Sequence, residues 1–135
     1  MKVYEYATLR VMPDIERGEF MNVGIVVHCR ALDYLSCRTH LDEVRLHALA
    51  PSLDLEGVRR ALTGIDAVCC GGAQAGQAGA ESPGRRFRWL TAPRSAIVQP
   101  GPVHAGLTGD PAAELDRLHR LLVLTASNPA RTGPT

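Results

Sequence analysis

The sequence predicts an α+β fold, a single domain in which an antiparallel sheet packs against two main helices. Three observations carry this expectation. Period-two segments follow one another with short links near the start, and parallel strands would need a helix between each pair. A stripe of apolar residues recurs every three to four positions between Leu55 and Cys69. A second helix opens at Asp110–Pro111. At 135 residues the chain has the size of one domain with its own core, and with few aromatics that core rests on Leu, Val, Ile and Ala.

In chain order, Val3, Ala7, Leu9 and Val11 alternate against Tyr4, Tyr6, Thr8 and Arg10, which predicts a strand from Val3 to Met12 stopped by Pro13. A loop "PDIERGEFMN" with a turn at Gly18 leads to a second strand, "VGIVVHCRA". A third strand, Leu35 to Leu41, follows closely enough to form a hairpin. Matching the apolar faces through Leu32, Asp33 and Tyr34 sets Cys29 opposite Cys37. That register sends His28, Arg30, Arg38 and His40 together to the more polar face. Cysteines and histidines then point apart, and no metal site is expected.

Asp42 is the expected cap of a short helix "EVRLHALA" ended by Pro51. Ser52 or Asp54 is the expected cap of the helix carrying Leu55, Val58, Leu62, Ile65 and Cys69. From Gly71 to Gly84 the chain is Gly, Ala and Gln with little bulk, and a flexible loop is expected. It lacks the Lys and Ser or Thr of a P-loop, so no nucleotide cradle and no other cofactor motif is present. In "RRFRW" the arginines read as solvated, and Phe87 and Trp89 as a core aromatic pair. Ser95 to Pro100 and Val103 to Leu107 read as two short strands in a segment stiffened by Pro93, Pro100 and Pro102. Asp110 caps a last helix with Leu115, Leu118 and Leu122 as its stripe, and His119 is placed at its surface or edge. The domain is expected over 1–124, with 125–135 as a loose tail.

Charge is balanced, 15 basic against 14 acidic residues, so no global field draws the chain to nucleic acid or to an anionic membrane. No segment reaches membrane-span length, and "MKVYEYATLR" lacks the apolar run of a signal peptide, which makes the cytoplasm the expected compartment. The four cysteines then read as reduced thiols. Ser95 lacks the G-x-S-x-G elbow and neither Cys69 nor Cys70 has an activating neighbour, so whether the chain is an enzyme stays open.

Two loops carry candidate chemistry. Glu16, Arg17, Glu19 and Asn22 cluster beside a strand start, while Arg94, Ser95 and His104 sit in the proline-rich segment. A guanidinium fork with a neighbouring hydroxyl suits a phosphate or carboxylate, and His104 adds a group that titrates near neutral pH.

"YEYATLRVMPDIERGEFMNVGIVV" and "RFRWLTAPRSAIVQPGPVHAGLTGDP" together resemble the bacterial family called domain of unknown function 3037, over Tyr4 to about Leu122. Arg17, Gly18, Glu19, Asn22 and Gly24 fall in the first motif. Trp89, Pro93, Arg94, Ser95, Pro100, His104 and Gly106 fall in the second, with Gly101 where the family pattern has a small residue such as Ser. The resemblance implies a small cytoplasmic bacterial protein whose gene lies beside HipA-like kinases. The functional expectation is a non-catalytic accessory or protein-binding module, with a HipA-like kinase as partner. The alternative is an enzyme or sensor for a small phosphate- or carboxylate-bearing ligand. In it Arg17 and Arg94 act as clamps, Glu19 as acid or base, and His104 as proton carrier, with Asn22 and Ser95 beside them.

Overall fold

A computed structural model describes residues 1–125 of the chain. Most of the expected tail lies outside them. Five strands form one antiparallel sheet: β1 Lys2–Asp14, β2 Glu19–Cys29, β3 Tyr34–Thr39, β4 Val98–Pro100 and β5 His104–Thr108. Helices α1 Glu43–Leu49, α2 Leu55–Cys70, α3 Pro83–Thr91 and α4 Pro111–Leu122 complete the α+β domain. The order across the sheet is β3-β2-β1-β4, and β5 also pairs with β1. Because β2 holds one edge of β1, β4 and β5 share the other, at Leu9–Val11 and Lys2–Tyr6 respectively. They are one edge strand broken at Gly101–Val103, where the Gly101 N–H still bonds to Thr8 O at 2.8 Å.

The expected caps are in place. Asp42 accepts from the Arg45 N–H, Asp54 from Gly57 and Asp110 from Ala113, each at 3.0–3.1 Å. Helices cover both faces of the sheet. Ala7, Leu9, Val11 and Val26 share a core with Leu46, Val58, Leu62, Phe87 and Leu90 of α1, α2 and α3. Tyr4, Ile25, Val27 and Cys29 face Leu115 and Leu118 of α4. Across the second core the Tyr4 hydroxyl donates to Glu114 at 2.9 Å, and Arg38 pairs with Asp116 at 2.9 Å.

The β2–β3 register differs from the expected one. A 3-10 turn at Arg30–Leu32 and a left-handed Asp33 (φ 49°) close the hairpin so that Cys29 pairs with Tyr34 and Val26 with Cys37. The pairing shifts by an odd number of residues, which reverses the relative facing of the two strands. Cys29 therefore faces α4, whereas Cys37 lies against α2 beside Cys69 and Asp66. His28 is not on a polar surface with His40: it is 6% exposed and stacks on Phe87 at 5.3 Å.

Two further expectations change, at residues 83–91 and at His119. Residues 83–91 form α3, capped by Ser82 with Pro83 in its first turn; of the aromatic pair, Phe87 is buried but Trp89 is 51% exposed. The Gly/Ala-rich stretch winds through 3-10 turns at Ala73–Ala80. His119 is buried on α4, because the covered stripe runs through Leu115, Leu118 and His119 and leaves Leu122 partly exposed.

Burial, with the Arg38 and His40 charges nearby, pushes the His119 imidazole down to about 4. The unfolded chain then takes up a proton near pH 6.5 that the folded chain refuses until about pH 4. Stability should hold above pH 6.5 and fall by about 3 kcal/mol as pH drops to 4. Urea unfolding from pH 7.5 to 4 should show this slope reduced in His119→Leu; an equal slope in both chains would contradict it. For the thiols, Cys69, burial and Asp66 all push Cys37 up, and Cys70 alone is exposed. Thiol titration of the native protein should find Cys70 fast and Cys37 slow, and mild oxidation should yield no Cys29–Cys37 disulfide.

Candidate functional site

The β1–β2 turn, the corner between α1 and α2, and the segment entering β4 enclose an open cleft of about 700 Å³. The turn is built locally. The Gly18 N–H bonds to Ile15 O at 3.1 Å with Gly18 at φ 69°, and Asp14 Oδ1 accepts from the Glu16 N–H at 3.0 Å. The opposite wall is anchored by Met12 N–H to Ile97 O at 3.3 Å and by the Gln99 side chain to Ala96 O at 2.9 Å. Arg17, Glu19 and Ser95 all line this cleft, so the two sequence motifs meet here. Arg17 and Glu19 form an ion pair, and both side chains remain largely in solvent. Ile15, 62% exposed, stands at the rim. No His or Cys among the described residues lines the cleft.

The remaining candidates lie elsewhere. Arg94 lines a neighbouring concavity that shares Gln99 with the cleft. Its guanidinium lies 4.7 Å from the Trp89 ring centroid and donates to Trp89 O and to Ala92 O, so it serves the last carbonyls of α3. Asn22 donates from Nδ2 to Leu122 O at 3.0 Å, fastening the end of α4 to β2. His104 pairs across the strands with Tyr6, ring to ring at 5.3 Å.

Space rather than chemistry explains two glycines. A Cβ at Gly106 would lie 2.8 Å from the buried Tyr4 ring, and one at Gly101 would lie 2.5 Å from Thr8 Oγ1. The Ser of the family pattern at 101 would therefore require Thr8 or Arg10 to move.

Sequence reasoning missed His28, Arg30 and Arg88, which wall a separate concavity beside the start of α3. Ser82–Pro83 followed by Phe87 and Leu90 was the available signal for that helix.

The fold is thus a small sheet domain clad by helices on both faces, and its candidate site is an open cleft at a hairpin turn. The chain belongs to the family described as a protein of unknown function (DUF3037), which matches residues 6–123. No curated protein and no solved structure matches it. Among the described residues no helix is long and apolar enough to cross a membrane.

Gly106→Ala should push Tyr4 against α4, disturb its bond to Glu114, and cost about 1–3 kcal/mol in urea unfolding. A change below about 0.5 kcal/mol would show that the Tyr4 ring yields freely.

Proposed function

We propose that the protein is a cytoplasmic bacterial binding module, non-catalytic, that grips a protein partner through the hairpin cleft, and that a HipA-like kinase is this partner. The observation that carries the reading is the convergence of Arg17, Glu19 and Ser95, from two distant motifs, on one open cleft. Its walls mix apolar side chains, Ile15, Leu49 and Leu53, with charged and hydroxyl groups, a combination suited to another protein's surface. Arg17 is already paired with Glu19, and Arg94 serves main-chain carbonyls, which favours a protein partner over a small anion clamped by these two arginines.

The exposed Ile15 is the natural anchor, since burying such a side chain contributes about 1.5–3 kcal/mol. Titration calorimetry of the purified chain against a HipA-like kinase from the same host should detect a complex. Ile15→Asp and Ser95→Arg should each weaken it at least about tenfold, or 1.4 kcal/mol. Failure of the kinase to associate would remove the partner; undiminished affinity in both variants would remove the cleft.

A further inference from the structure

At the other end of β1 a concavity in two lobes, about 360 and 630 Å³, is walled on both sides by His28, Arg30 and Arg88. His28 comes from the central strand, and its side chain is only 7% exposed. Neither ring nitrogen has a hydrogen bond among the described residues: Glu5 Oε1, 4.0 Å from Nδ1, is out of reach. The imidazole therefore keeps hydrogen-bonding capacity that a bound group can take up. Its free edge faces the first turn of α3, where a Cβ on Gly84 would lie 3.6 Å from Cε1 and 3.8 Å from Nε2.

The first turn of α3 leaves one donor uncommitted. Pro83 has no N–H, the Arg85 N–H bonds to Ser82 Oγ at 3.3 Å, and the Arg86 N–H bonds to Ser82 O at 2.9 Å. The Gly84 N–H remains, at the positive end of the helix and beside His28. Arg30 and Arg88 have no carboxylate partner among the described residues, whereas Arg85 leans on Glu81 at 3.6 Å. The carboxylates at the margins are Glu5 in one lobe and Asp33 in the other.

We propose that this concavity binds a phosphomonoester, whose phosphoryl oxygens take the Gly84 N–H, the His28 Nε2–H and the guanidiniums of Arg30 and Arg88. The ester's organic group would lie in the larger lobe against Val3 and Ala31. A tetrahedral dianion suits donors arriving from a strand, a turn and a helix, because it offers three oxygens in different directions. A carboxylate offers two in one plane with half the charge. This site is separate from the hairpin cleft, so each can fail without the other.

The test is 1H–15N NMR of the full chain, titrated with phenyl phosphate, inorganic phosphate and benzoate to about 10 mM. Phenyl phosphate should shift the Gly84 amide and the His28 ring saturably. Arg30→Ala and Arg88→Ala, both at exposed positions, should each weaken binding at least about tenfold, while Arg94→Ala should leave it unchanged. Equal affinity for inorganic phosphate would assign recognition to the phosphoryl group alone and point to free phosphate as the source; tighter phenyl phosphate would point to an ester. Absence of saturable shifts, shifts indifferent to both arginine variants, or benzoate binding as well as phenyl phosphate would each overturn the proposal.

Discussion

The structure depends on one strand that has no solvent face from Val23 to Cys29. In β2, Val23, Ile25, Val26, Val27 and Cys29 are fully buried, although successive side chains point to opposite sides of the sheet. At about 1.5–3 kcal/mol per buried Val or Ile, both faces must be covered by apolar surface. β1 and β3 therefore flank it, α4 closes one face, and α1, α2 and α3 close the other. The burial of His28 is a consequence of this position. A histidine placed there reaches open space at the side of the sheet, in the concavity between the start of α3 and the end of β1.

The same strand limits what could be read from the sequence. β1 alternates as read from Ala7 to Val11, although Val3 is exposed and Tyr4 buried; "VGIVVHC" is apolar at successive positions, so the facing chosen to set its register against β3 had no support from periodicity. The decision fell to the turn. A left-handed Asp33 after a 3-10 turn is a local choice that a three-residue connection did not anticipate. Caps were legible because an Asp side chain at a helix start bonds its own neighbours, whatever the tertiary context. α3 was hidden by its arginines and by Gly84, and His119 by its place next to a stripe whose true centre only packing reveals.

The candidate site was legible in part for a related reason. Arg17, Glu19 and Ser95 reach the cleft because turn geometry and a proline-stiffened segment deliver them there. Arg94, Asn22 and His104 carry the same polar chemistry, yet their partners are the α3 carbonyls, Leu122 O and the Tyr6 ring. A sequence displays a donor without its acceptor, and an arginine closing a helix reads like one awaiting a ligand.

The prolines of the second motif bear on how a partner can be held. An exposed sheet edge recruits another strand through its free N–H and C=O groups. Here the outer edge is broken into β4 and β5, and at the break Pro100 and Pro102 have no N–H to offer, while the Gly101 N–H is turned inward to Thr8 O. The longest run left on that edge is the five residues of β5, too short and too close to the break to template an extended pairing. Strand addition is thereby disfavoured on this side of the sheet. Both concavities lie at the ends of β1, one at the hairpin turn and one at the start of α3. The strand between them, at about 3.3 Å per residue, holds them too far apart for a single small ligand to bridge.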